Sequence, residues 1–140
     1  MALTKKQESI LKAFSERNKH WPKDQLDLAL WRVRWELQAL PHQREPEDGQ
    51  YDTMLMLAGR GAGKTYTASN WIGQRAALFN GTRWLVTAPT SNDIRATCFE
   101  GDSGLLNIIP SSLIDTYNKS LFEIHLKNGS IIQGIPGSEP

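Results

Sequence analysis

Cysteine is nearly absent: Cys98 is the only one in 140 residues. A lone cysteine closes no intrachain disulfide, which excludes a disulfide-stapled scaffold and fits a reducing compartment. His20, His42 and His125 stand far apart, with no Cys/His cluster at ligand spacing, so a structural zinc site is not expected. No apolar run approaches the roughly 18 residues of a membrane span. The N-terminus, MALTKKQE, lacks the apolar core of a signal peptide. Neither sign of charge dominates, since 16 Lys+Arg face 15 Asp+Glu for a net +1. That balance argues against a dedicated basic nucleic-acid module, although a local patch remains compatible with it. There are no internal repeats and no low-complexity stretches. What remains is an ordinary folded composition, 39% hydrophobic and 22% charged, in a chain of one-domain length. A soluble protein of the cytoplasm, with no membrane partner, is expected.

The first fifty residues read as helical. Thr4-Lys5-Lys6-Gln7 is a capping-box pattern, followed by Ile10, Leu11 and Phe14 at helical spacing, which predicts a helix to about residue 20. Trp21-Pro22 breaks it. From Asp24, the residues Leu26, Leu30, Val33, Leu37 and Leu40 recur every three or four positions, with Leu28, Trp31 and Trp35 on a neighbouring stripe. That predicts a second helix with a wide apolar face, ending before Pro41. Trp31 and Trp35 read as core residues; the alternative for Trp35 is the wall of a ligand pocket. The polar stretch 44–50 (REPEDGQ) reads as a loop.

The texture then changes. Residues 53–58 (TMLMLA) form a continuous apolar run, which predicts a strand buried on both faces. A helix is predicted from about Lys64 to Phe79, closed by Asn80-Gly81, then a second buried strand over residues 83–88 (RWLVTA), then a helix over about 91–100. This β-α-β-α order implies a parallel sheet covered by helices. Near the end, Phe122, Ile124 and Leu126 alternate with Glu123 and His125. Asn128-Gly129 predicts a two-residue type I′ turn, and that loop length pairs Leu126 with Ile131 and Phe122 with Ile135.

The strongest chemical signal is residues 58–65, AGRGAGKT, close to the phosphate-loop pattern G-x-x-x-x-G-K-[ST]. Its single departure is Ala58 in place of the first glycine. Glycines let consecutive N–H groups turn inward around a phosphate, and the following helix adds its own free N–H groups and positive dipole end. Gly59, Arg60, Gly61, Ala62, Gly63, Lys64 and Thr65 are therefore candidate nucleotide-binding residues. Lys64 is expected to reach the terminal phosphates as the catalytic cation, and Thr65 to offer its hydroxyl to Mg²⁺. Arg60 either adds charge near the phosphates or pairs with a surface carboxylate.

These residues resemble the ATPase region of the large terminase subunit of tailed bacteriophages, the motor that packages viral DNA. AGRGAGKT carries the resemblance together with WELQALPHQREP before it and WLVTAPTSNDIRATCFEGDSGLL after it, from about Trp35 to Pro140. The resemblance implies a P-loop NTPase fold of the RecA-like class, α/β with a parallel sheet. Residues 1–50 are then an N-terminal helical segment with an adenine-motif loop, and 51–140 an ATPase core that stops before the strand whose terminal acid holds Mg²⁺. It places Gln43 as the adenine-reading residue, and implies ATP and Mg²⁺ as cofactors. The implied partners are double-stranded viral DNA, the small terminase subunit and the portal of the prohead, for a homo-oligomeric ring in the host bacterial cytoplasm. Thr90, Asp93 and Arg95, after the second strand, either communicate with nucleotide or DNA or form a helix N-cap with solvated charges.

The acids after Thr65 are Asp93, Glu100, Asp102, Asp115, Glu123 and Glu139, and none ends an apolar run as a metal-holding carboxylate of such ATPases does. The expectation is an ATP-binding N-terminal portion of a packaging ATPase with negligible turnover of its own. Two alternatives stand beside it: a helicase-type P-loop ATPase acting on nucleic acid, and a non-catalytic truncated prophage product.

Overall fold

Thr4 opens the first helix through the reciprocal bonds its sequence predicts. Its hydroxyl accepts from the Gln7 N–H at 3.2 Å and its N–H donates to Gln7 Oε1 at 3.0 Å. The computed structural model describes residues 2–45 and 51–138, so most of the polar stretch 44–50 and Glu139 lie outside the described residues. Helix α1 (Lys5–Arg17) and helix α2 (Lys23–Gln38) pack together, and Gln7 Nε2 donates to the Leu37 carbonyl at 2.7 Å. A single turn of 3₁₀ helix, Pro41–Gln43, follows. Helix α3 (Lys64–Leu78) receives α2 through Trp31, which is buried and donates from Nε1 to Asn70 Oδ1 at 2.8 Å. Gly73 permits that approach: a Cβ there would sit 2.8 Å from the Trp31 ring.

The fold is mixed α/β, with one four-stranded sheet among the described residues. Strands β1 (Arg83–Ala88), β2 (Ile114–Asn118), β3 (Glu123–Leu126) and β4 (Ile131–Pro136) lie in the order β1-β4-β3-β2. Only β1 and β4 run parallel; β4/β3 and β3/β2 are antiparallel. Helix α4 (Ser91–Asp93) runs into a π-helical stretch, Ile94–Phe99, and α5 (Leu105–Ile108) follows. Ile94 and Phe99 are five residues apart, and the wider π turn lets both face inward. The core gathers these two with Trp31, Ala76, Leu105, Phe122, Ile124 and Ile132. Residues of both compositional segments thus share it. Among the described residues no helix is long and apolar enough to cross a membrane.

Three expectations are corrected. Residues 53–58 form no strand. A run apolar on both faces is stabilised as a strand only between neighbours that take its backbone groups, and no described strand pairs with it. Leu55 and Leu57 consequently stand 77% and 86% exposed. Strand β1, expected to be buried on both faces, has a partner on one edge only among the described residues and alternates exposed with half-buried residues.

The hairpin register is also shifted by one. His125 faces Ile131 and Ile124 faces Ile132, while the Leu126 N–H donates to the Ser130 carbonyl at 2.9 Å. The loop has three residues, 127–129, with only Gly129 at positive φ (+87°), the arrangement of a type I turn with a bulge rather than type I′. Asn128 is held out of a left-handed conformation by its side chain, whose Nδ2 donates to the Ala76 and Ala77 carbonyls at the end of α3. Ile132 and Gly134 therefore point into the core, and Ile135 faces outward, 45% exposed.

Candidate functional site

Three glycines shape the loop between residue 58 and α3, each differently. Gly61 and Gly63 have φ of +81° and +77°, a region where L side chains are strained. Gly59 has neither a positive φ nor a neighbour within 4 Å of its would-be Cβ. Ala58 is not at positive φ, so the alanine at the first motif position carries no strain. The loop closes on itself through the Ala62 N–H, which donates to the Gly59 carbonyl at 3.3 Å.

Gly63 caps α3, and its carbonyl accepts the first helical bond from the Thr67 N–H at 2.9 Å. The N–H groups of Gly63, Lys64 and Thr65 have no acceptor among the described residues. They are the unsatisfied donors of a helix start, at its positive dipole end. Lys64 is exposed and folds back over the loop: its ammonium donates to the Ala58 carbonyl at 2.7 Å and approaches Gly59's at 3.4 Å. A cation tethered only to two carbonyls is free to exchange them for a stronger anionic acceptor. The Thr65 hydroxyl bonds to no described residue.

The upstream turn reaches the same place. Gln43 is 5% exposed; its Oε1 accepts from the Leu40 N–H at 2.9 Å, and its Nε2 rests against Gly63. His42 Nε2 lies 3.3 Å from the Ala62 carbonyl oxygen. Sequence reasoning missed His42; its position beside Gln43, just after the turn-starting Pro41, was the available signal.

On the far side, Lys64, Thr67, Trp71 and Arg75 of α3 line a cleft of about 530 Å³ with Tyr51, Met54 and Met56. Arg75 lies over the Trp71 ring at 4.5 Å and pairs with Glu45, which also accepts from the Tyr51 hydroxyl. That bond to the Glu45 carboxylate raises the Tyr51 phenol above its usual pKa.

The other candidates lie elsewhere. Arg60 is exposed, with no carboxylate partner among the described residues. Thr90 and Asp93 bond reciprocally as the N-cap of α4, the hydroxyl donating to Asp93 Oδ2 at 2.7 Å. Arg95 lies over the Phe122 ring at 5.5 Å. Trp31 is core. Trp35 is half-buried, tilted against Tyr66 with ring centroids 5.6 Å apart, and it lines a cleft of about 700 Å³ beside Gln38. Among the described residues, no group of three His, Cys, Asp or Glu side chains could hold a metal ion.

No family model matches the chain, and no curated protein or solved structure matches it either.

Proposed function

We propose that the chain binds ATP with Mg²⁺ as a P-loop NTPase domain, and that it is the ATP-binding N-terminal portion of a phage terminase large subunit. The observation that carries the first half is local. Three unclaimed N–H groups open α3 directly after two left-handed glycines, with Lys64 folded over the mouth of the loop. This donor set fits a polyphosphate, since its charge is positive and its acceptors are few. The second half rests on the wider sequence resemblance, which supplies the partners: viral double-stranded DNA, the small terminase subunit and the prohead portal.

In this reading each residue has a separable task. The Gly61 and Gly63 conformations aim backbone donors at the phosphates, and Lys64 leaves the Ala58 carbonyl to take the terminal ones. The unbonded Thr65 hydroxyl would hold Mg²⁺, which supplies charge neutralisation between adjacent phosphates. Gln43 reads adenine only by exchanging its bond to the Leu40 N–H for the base edge.

Titration of a fluorescent ATP analogue tests the reading. Lys64→Ala is expected to weaken binding by roughly 1.5–3 kcal/mol, the scale of a lost charge-assisted hydrogen bond. Equal affinities of the two proteins would remove the assignment. Competition by ATP and GTP against the bound analogue, repeated in Gln43→Ala, decides whether that amide sets base preference.

A further inference from the structure

The turn ahead of the loop grips two consecutive residues of it. His42 meets the Ala62 carbonyl with its Nε2 at 3.3 Å, and Gln43 packs its amide on Gly63. The Ala62 oxygen and the Gly63 N–H belong to one peptide unit. That unit is planar and trans, so turning the oxygen toward His42 turns the N–H to the opposite side. The Gly63 N–H is one of the donors with no acceptor among the described residues.

No other described hydrogen bond holds this peptide. Helix α3 begins its hydrogen bonding at the Gly63 carbonyl, one residue later, so the Ala62 oxygen lies outside the helical ladder. Glycine on its C-terminal side makes rotation of the unit cheap, because both hands of φ are open to Gly63. A rotated peptide would present an oxygen where an anion needs a donor.

We propose that His42 is a positioning residue of this site, donating from Nε2–H to the Ala62 carbonyl and so keeping the Gly63 N–H turned toward the bound phosphate. A carbonyl only accepts, so the bond requires the proton on Nε2. The role of the phosphate rests on the nucleotide reading above; the bond itself does not.

The test separates the two. Glutamine carries an N–H donor close to the position of His42 Nε2, whereas leucine fills the space with no donor. The probes are the Gly63 amide resonance in nucleotide-free protein and the affinity for the fluorescent ATP analogue. His42→Leu is expected to move the Gly63 resonance and weaken the analogue roughly fivefold to tenfold, the range for one lost hydrogen bond. His42→Gln should restore both, to within about twofold in affinity. His42→Ala serves as a second donor-free variant should leucine disturb the fold. A Gly63 resonance unmoved in the donor-free variants, or a glutamine variant as impaired as leucine, overturns the proposal. If wild type and Lys64→Ala bind the analogue equally, the nucleotide reading fails, and the resonance alone decides the role of His42.

Discussion

The amide of Gln43 occupies the space that a side chain on Gly63 would need: a Cβ there would lie 2.6 Å from Gln43 Nε2. Two demands thus fall on one position, a left-handed φ and the absence of a side chain. Gly63→Ala is expected to cost about 1–2 kcal/mol from the backbone alone, with a further loss from the displaced amide. Gln43→Ala in the same chain should recover the second part and not the first. Urea unfolding of both single variants and the double variant measures this as a coupling energy. Strict additivity would mean that the contact carries nothing.

Turnover is expected to be negligible even where nucleotide binds. Loop contacts made equally in the ground and transition states do not raise the rate. Acceleration needs a carboxylate to place the metal, and three of the described acids after Thr65 are engaged elsewhere. Asp93 caps α4, Glu100 pairs with Lys119 at 3.5 Å, and Glu123 meets His125 at 3.1 Å. An arginine finger in related chemistry is worth about 10³–10⁵ in rate, and no arginine follows Arg95 in the chain. Phosphate release from the purified 140-residue chain, with Lys64→Ala as the contamination control, checks it. Turnover near one per second that vanishes in the variant would contradict the expectation.

Tyr117 keeps its hydroxyl buried without a hydrogen-bond partner among the described residues, its ring edge-on to that of Phe99 at 6.0 Å. Burial first, and the nearby Glu100 carboxylate second, raise its pKa; burial and then Asp93 do the same for Cys98. Both groups are neutral when protonated, so the folded state resists their ionisation. The stability they confer is complete below the ordinary thiol and phenol pKa values and is lost as pH climbs through the raised ones. Tyr117→Phe should therefore be neutral or stabilising by up to about 1 kcal/mol near pH 7. It should also flatten the alkaline decline, read as urea midpoints at about pH 7 and pH 10.5. A variant clearly less stable at pH 7 would show that the hydroxyl has a partner after all.

Exposed leucines and a strand edge left open among the described residues predict association. Leu55 and Leu57 stand out from residues 53–58, and Leu85 on the partly unpaired β1 is 57% exposed. Leu55→Lys with Leu57→Lys should shift the chain toward smaller species in sedimentation at tens of micromolar, a range set by ordinary weak apolar contacts. Identical profiles would place the contact elsewhere.

How far the sequence could be read follows from the range of the interaction involved. The capping box of α1, the limits of α3 and the glycines of the loop depend on neighbours within four residues, and all were legible. Residues 53–58 were not, because a strand exists only if distant segments take its backbone bonds. The hairpin slipped by one for a similar reason: Asn128 answers not only to its own turn, where its Oδ1 accepts from the Ser130 N–H, but to carbonyls some fifty positions earlier, at Ala76 and Ala77. Gln43 was legible as a candidate by its place before the loop, yet its packing on Gly63 and the neighbouring reach of His42 are tertiary facts.

The Asn128 side chain has a further consequence for α3. Together with Ser130, whose hydroxyl donates to the Phe79 carbonyl at 2.8 Å, it fastens the tail of the helix to the hairpin. At the other end the turn before the loop holds the residues that lead into α3. The 15-residue helix, about 22 Å long at 1.5 Å per residue, is thus a rod pinned at both ends by side chains that do not belong to it. It cannot fray from its C-terminal turn without unseating the hairpin, nor slide along its axis without loosening one of the two pins.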